Sequence, residues 1–542
     1  MAAATDRLAA SIRIKRMRDA WWAAAGALLL SRLAHLGGPL DDPHSWRQCD
    51  TVVYSLNFHR HGIDLLHPAV CWLGAQRTLI FEFPLVEALS ALLYRVTGPT
   101  PVADRLVALG FFLVATAYFH RIARRLAGHR PAWLATLVWL ALPLAQFYSR
   151  AAHVDFAATA FAHALLYHGI RAFERRSARH ALLAAVAGAL AAMIKAPYVL
   201  PVLAPLALAG LAVPTLATLT LAGVALGGTA LAFALWRHHV DVINAAAPDW
   251  GFLPGYYKEV NPLWWYFGDL HQRLEPATWI QLARRFVFDV ATPLGAFGAL
   301  AGLGWHDRRT SSSRAEPMRL EARAFALVWL AGAVLYLVVF FPLNVIHNYY
   351  QIPFLAPVAL LAGLGLDRVW RRHAVAGAVA VALVVAGAFW AVHSLGYYRV
   401  DWLRVEAGRE IAARVPRGEL VVASDHGSGY SDPRLLARAD REGWSLAIPD
   451  LAPGRLDTLA SLGARWVAVV TDPEHPDLAS PAFLLPRRVA SVPLQHAGRP
   501  LGTLDLYTND TALVVEPAAS GLSAPKPAPP RPRPARRTGR RR

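Results

Sequence analysis

Three carboxylates fall within one short polar run, Asp41-Asp42-Pro43-His44-Ser45-Trp46-Arg47-Gln48-Cys49-Asp50-Thr51, directly after an apolar stretch. A carboxylate held against a donor and partly withdrawn from water can act as a general base. The same residues also fit an interfacial loop with solvated charges. Farther on, Phe81-Glu82-Phe83-Pro84-Leu85 sets an acid among apolar neighbours. A lone buried carboxylate is costly, so Glu82 should have a partner such as Arg77 or Arg47. Asp155 closes Ser149-Arg150-Ala-Ala-His153-Val-Asp155, and Lys195 sits in Met193-Ile194-Lys195-Ala196-Pro197. Ionisable residues at membrane depth are expensive and mark function by default, although a lysine can also snorkel to the interface. His347-Asn348-Tyr349-Tyr350-Gln351 offers donors for an anion such as phosphate, or forms part of an interfacial aromatic belt.

The elements that must position these residues are membrane spans. Of 542 residues, 55% are hydrophobic and 17% charged, well below the ~25% usual in soluble domains. Mean hydropathy is +0.32. Stretches long enough to cross a bilayer, about 20 residues each, are 20–36, 102–120, 131–148, 152–170, 180–195, 197–212, 214–236, 286–304, 322–342, 350–366 and 374–394. The sequence thus predicts 11 spans, within a range of 9–13. The first reads as a retained span rather than a cleaved signal peptide.

The net charge of +18 does not call for nucleic acid. All basic residues but Lys15, Lys195, Lys258 and Lys526 are arginines, as in a GC-rich genome, and many of the arginines are clustered. Clusters at Arg13 to Arg18, Arg121 to Arg130, Arg171 to Arg179, Arg308 to Arg323 and Arg368 to Arg372 read as cytoplasmic loops. All five face inward only if 37–100 lies wholly outside, with 83–97 a juxtamembrane or re-entrant helix. The outer face then receives 37–100, 149–154, 237–285, 343–349 and everything after about residue 396. Asp50, Glu82, Asp155, Lys195 and His347 all land there, although none was used to set the topology. Acids and cations at a lipid–water boundary suit a substrate with an apolar tail and an anionic head.

The chain divides into a cytoplasmic basic N-terminus (1–19), a membrane domain (20–398), a small outer α/β domain (399–515) and a Pro/Arg-rich tail (516–542) expected to be disordered. The outer domain should carry a parallel sheet, with helices over Trp402 to Val415, Pro433 to Glu442 and Arg455 to Leu462, and strands over Glu419 to Ser424 and Trp466 to Val470. Asp425-His426, just after a strand, is either a site or an ordinary loop. The segment 237–285, rich in Trp and Tyr, suits an interfacial helix pair covering a lipid or sugar.

Ser45-Trp-Arg-Gln-Cys-Asp50-Thr51, Asn57-Phe58, Gly62, Pro68, Glu82-Phe83-Pro84-Leu85, Ile194-Lys195-Ala-Pro197 and His347-Asn-Tyr-Tyr-Gln-Ile-Pro353 together resemble the pattern of bacterial membrane glycosyltransferases of family 39. These are relatives of the protein O-mannosyltransferases and of the lipid A aminoarabinose transferase. The resemblance spans roughly 20–400. It implies a polytopic GT-C fold with a large first outer loop. It also implies inverting transfer of a sugar from a polyprenyl-phosphate donor to an acceptor protein, glycolipid or polysaccharide at the outer face of the inner membrane. Asp50 matches the first-loop acid and is the expected base, with Asp42 and Asp41 as rivals. Asp155 matches a second acid near the site, and Lys195 the cation near the lipid phosphate. Glu82 is expected to position Arg47 or the sugar, and His347 to lie on the phosphate side. Gln48, Tyr349 and Tyr350 complete the expected substrate contacts. Position 49 is more usually small in this pattern, and Cys49 leaves a disulfide with Cys71 open in an oxidising compartment. No ligand cluster compels a metal, and no nucleotide-binding loop is evident, so no cofactor is expected. The rival classes are a transporter or flippase for lipid-linked sugars, which would want its charges nearer the midplane, and a non-catalytic polysaccharide assembly protein.

Overall fold

The computed structural model describes residues 19–258, 260, 263–306 and 320–509. The basic run before residue 19, most of the 308–323 arginine cluster and the tail 516–542 lie outside the described residues.

The helical part begins with α1 (19–30), α2 (Ser45–His61), α3 (Leu85–Thr97), α4 (Pro101–Ala127), α5 (His129–Ala141) and α6 (Pro143–Tyr148). It continues through α7 (Asp155–Arg175), α8 (Ala178–Lys195), α9 (Leu200–Leu211), α10 (Leu216–Ala245), α11 (Leu263–Phe267), α12 (Leu270–Leu274) and α13 (Pro276–Arg285). Then come α14 (Pro293–Gly302), α15 (Ala322–Val339), α16 (Phe341–Ile346), α17 (Leu355–Arg372) and α18 (Ala374–Ser394). Helix starts follow local chemistry: the Ser177 and Thr215 hydroxyls accept from the backbone N–H of His180 and Thr218 at 3.4 and 3.2 Å, satisfying donors that a helix terminus leaves orphaned.

Among the described residues, six helical segments are long and apolar enough to cross a membrane: Pro101–Ala127, Ala178–Leu211, Leu216–Ala245, Ala322–Val339, Asn348–Arg372 and Ala374–Ser394. Several of the eleven expected stretches are broken instead. Residues 131–148 form α5 and α6, interrupted before Pro143. Residues 286–304 form a π-helical turn at Phe286–Ala291, then the ten-residue α14, with Thr292 between them at φ 57°. The 83–97 stretch is the 13-residue α3. At about 1.5 Å per residue it reaches about 20 Å, short of a bilayer core.

The bundle has two chemically different ends. Helix α7 starts at Asp155 and reaches Arg175 after 21 residues, about 32 Å away. At the Arg175 end the expected clusters meet: Arg125 pairs with Glu174, and Arg130 and Arg371 both pair with Asp367, each at 2.6 Å. The acids and Lys195 gather at the Asp155 end.

The C-terminal part is α19 (Trp402–Arg414), β1 (Leu420–Asp425), α20 (Arg434–Ala439), β2 (Glu442–Ala447), α21 (Pro453–Ser461), β3 (Ala464–Thr471), β4 (Arg488–His496) and β5 (Arg499–Thr508). The sheet order is β2-β1-β3-β5-β4. β1 is parallel to β2 and β3, while β5 runs antiparallel to β3 and β4. The expected parallel sheet is therefore a mixed one. The helix expected over Pro433 to Glu442 stops at Ala439, because Asp440 turns left-handed (φ 53°) and β2 begins at Glu442.

The first loop docks onto this sheet. Gly443 of β2 donates to the Cys71 carbonyl (2.9 Å), and Gly74 donates back to the Gly443 carbonyl (2.7 Å). Val70, Cys71, Trp72 and Leu73 join the core of the sheet domain. Cys49 packs elsewhere, with Leu40 and Ala152. Both thiols are free and buried, so the Cys49–Cys71 disulfide that the sequence left open is absent: the two residues serve different cores.

Candidate functional site

Helix α2 presents Arg47 and Asp50 one turn apart. Asp50 is buried, at 1% exposure. Its Oδ1 accepts from the Trp72 indole N–H at 3.2 Å, and its Oδ2 lies 3.9 Å from Arg47 Nη1. Burial pushes the Asp50 carboxyl up to about 7, although Arg47 and the Trp72 hydrogen bond pull the other way. Arg47 bonds Glu82 with its other nitrogen and lies over the Phe81 ring. Arg47 is thus the partner Glu82 required; Arg77 pairs with Glu442 instead. The backbone N–H of Phe83 donates to the Met193 carbonyl at 3.0 Å. That contact ties the Glu82 segment to the end of α8, where Lys195 stands.

Lys195 and Asp155 are both buried and joined at 2.9 Å. Asp155 also contacts the Tyr198 hydroxyl and His153. The backbone at Lys195 leaves the helical region (φ −159°, ψ 82°) before a 3₁₀ turn carries the chain into α9. This break sets Lys195 and Tyr198 around one carboxylate. The Lys195 ammonium lies 4.2 Å from the Tyr350 ring and 4.6 Å from the Tyr349 ring. His347 stacks on Tyr349 (4.9 Å, 10°) and meets His44, Trp46 and Trp265 edge-on or tilted. Burial, then the neighbouring His44 and Lys195, push the His347 imidazolium down to about 2; burial and His153 push His44 to about 3. Both rings are therefore neutral at physiological pH. Buried atoms without a hydrogen-bond partner collect here, among them both ring nitrogens of His347 and the side-chain amide of Gln351. Unpaired buried polar groups are expensive, and a bound polar ligand can satisfy them.

The other first-loop acids are differently engaged. Asp41 is buried against Arg150 (2.6 Å) and Arg105 (3.5 Å). Arg105 in turn gathers the carbonyls of His35, Leu36, Gly38 and Pro39 at 2.6–3.0 Å. Asp42, partly exposed, accepts from the Ser45 N–H at 3.0 Å at the entry to α2. Gln48 links the Asp41 carbonyl (2.6 Å) to the Ala152 N–H (3.3 Å), which fixes the loop to the start of α7.

The structure therefore groups Asp50, Arg47 and Glu82 with Asp155, Lys195, His347, Tyr349 and Tyr350. Asp41 and Gln48 sit in a bracing network beside them. Sequence reading missed Trp72, His153, Tyr198 and His44 as partners. His153 and Tyr198 lie within three residues of Asp155 and Lys195, and that proximity was the available signal.

Residues 82–239 match the sequence profile of the dolichyl-phosphate-mannose-protein mannosyltransferase family. No curated protein sequence matches the chain significantly. Among solved structures, the chain is similar to ArnT from Cupriavidus metallidurans bound to undecaprenyl phosphate: TM-score 0.57, 14% identity, 91% of this chain and 98% of that one. It is also similar to the archaeal oligosaccharyltransferase AglB from Archaeoglobus fulgidus, in complex with an inhibitory peptide and a dolichol-phosphate: TM-score 0.52, 11% identity, 84% and 69%. A third similar structure is the mycobacterial arabinofuranosyltransferase AftD, at TM-score 0.56 and 17% identity, covering 91% of this chain and 40% of that one.

Proposed function

We propose that this multi-pass chain, which carries the GT-C membrane glycosyltransferase fold, is an inverting glycosyltransferase. Its donor is a polyprenyl-phosphate-linked sugar. Its acceptor is a protein, glycolipid or polysaccharide at the outer face of the bacterial inner membrane, with about 11 crossings and the N-terminus inside. The observation that carries this reading is Asp50: a buried carboxylate poised near neutrality, linked through Arg47 and Glu82 to the Lys195 pocket. The lipid-phosphate ligands of ArnT and AglB fit the same reading.

Inversion is one in-line displacement. Asp50 takes the acceptor proton, the acceptor oxygen bonds to the anomeric carbon, and the bond to the lipid phosphate breaks on the opposite face. Charge developing on the departing phosphate needs fixed donors. Lys195 supplies the charge, and neutral His347 supplies an N–H donor. Asp155, whose Oδ1 accepts from both Lys195 and the Tyr198 hydroxyl, holds Lys195 in place rather than taking a proton. Asp41 has two arginines against it and braces the loop. Glu82 fixes Arg47 beside Asp50.

The test uses the full-length protein in vesicles with a radiolabelled polyprenyl-phosphate sugar. The proposal expects free polyprenyl phosphate and an acceptor-linked sugar of inverted anomeric configuration. Movement of intact donor across the bilayer with no release of polyprenyl phosphate would instead establish a flippase.

A further inference from the structure

We propose that His426, Asp472 and His475 form a divalent transition-metal site, of the zinc type, at one end of the C-terminal sheet. Strands β1 and β3 are adjacent and parallel, so the residues that follow them emerge together. Such carboxyl ends are where open α/β sheets gather ligands. His426 is the first residue after β1, Asp472 the first after β3, and His475 lies one turn beyond.

His426 Nδ1 is 2.9 Å from Asp472 Oδ2, and His475 Nδ1 is 2.9 Å from Asp472 Oδ1. The two imidazoles lie nearly parallel, 3.9 Å apart. Among the described residues this is the one group of three or more His, Cys, Asp or Glu whose donor atoms converge within 4.8 Å. Two imidazoles and one carboxylate suit zinc, cobalt or nickel, whereas calcium and magnesium call for oxygen ligands.

The second observation is an unpaired atom. The Asp472 side chain is only 6% exposed. Its Oδ1 accepts the backbone N–H groups of Glu474 (2.9 Å) and His475 (3.1 Å), which shapes the turn, and also meets the His475 ring Nδ1 in a hydrogen bond (2.9 Å) that a bound ion would replace. Its Oδ2 has no hydrogen-bond partner, nor has His426 Nδ1. The two atoms approach each other without the alignment of a hydrogen bond, as ligands of a common ion do. The site is also braced: Arg404 holds Asp425, the residue before His426, through Nε at 2.6 Å and Nη2 at 2.9 Å. The His426 and His475 side chains remain 27% and 40% exposed, so an ion held here keeps positions open to water. It would clamp the loops after β1 and β3 together, and it draws on none of the transfer-site residues.

The test uses full-length protein in detergent, stripped with EDTA and titrated with ZnCl2. Bound zinc is counted by mass spectrometry, and thermal unfolding is followed in parallel. One equivalent of zinc and a melting temperature that rises with zinc concentration are expected. His426→Gln and His475→Gln should each weaken zinc binding by at least about tenfold, the scale on which even supporting residues act. His475 lies exposed in a turn, so that variant tests the ligand role without threatening the fold. No stoichiometric zinc on the wild-type protein, or zinc affinity in both variants unchanged from wild type, would overturn the proposal.

Discussion

Replacing Trp72 by Phe removes the one indole donor to Asp50 Oδ1 while keeping an aromatic ring in the loop that docks on β2. A hydrogen bond to a charged group contributes about 1.5–3 kcal/mol, and one pH unit corresponds to about 1.4 kcal/mol. The bond favours the carboxylate, so its loss raises the Asp50 midpoint. From about 7 it should move to about 8–9. At pH 7 the ionised fraction then falls from about one half to between about 1 and 10%, and kcat/KM falls by about 5- to 50-fold. The loss should disappear above pH 9. The assay is the pH profile of kcat/KM for release of polyprenyl phosphate, wild type against Trp72→Phe. A uniform loss at every pH, with the acidic limb unmoved, would refute the assignment of that limb to Asp50.

Asp41→Asn should act on stability rather than chemistry. It leaves Arg105 and Arg150 buried without their carboxylate, at a cost of about 3–5 kcal/mol, read as a lowered melting temperature with the acidic limb of the rate profile unchanged. Lys195→Ala should weaken donor binding and slow transfer; a charge-assisted hydrogen bond lost to phosphate corresponds to about 10- to 150-fold. Donor affinity that stays at the wild-type value would remove Lys195 from the phosphate. Gly443→Val should loosen the docking of the first loop. A Cβ at Gly443 would lie 1.9 Å from the Val421 carbonyl oxygen, and overpacking of this kind costs about 1–3 kcal/mol. Activity should fall with stability in this variant, because the loop segment that meets Gly443 also holds Trp72.

The face shared by Asp50, Glu82, Asp155, Lys195 and His347 was legible in the sequence because arginine placement marks one end of a helical bundle independently of them. The need of Glu82 for an arginine was legible from burial cost alone, and Arg47 meets it. The choice among Asp50, Asp42 and Asp41 was not legible. It depends on Arg150, Arg105 and Trp72, which lie 22 to 109 positions away in the chain. Helix breaks at Pro143 and Thr292 were also hidden, since hydropathy sums across a kink, whereas the break at Lys195 was legible as the boundary between 180–195 and 197–212. In the sheet domain, β1 and β3 stand out as runs of Val and Ala. By contrast, β2 begins Glu442-Gly443, and β4 and β5 contain Pro493 and Pro500, residues that weaken a strand signal.

The most direct test of the central claim is transfer by Asp50→Asn and Asp42→Asn, compared at equal expression and equal melting temperature. A neutral amide at position 50 keeps the shape of the side chain and cannot accept the proton. The account predicts that Asp50→Asn loses sugar transfer at every pH while still binding the polyprenyl-phosphate donor, and that Asp42→Asn retains transfer. Transfer that survives in Asp50→Asn would contradict it.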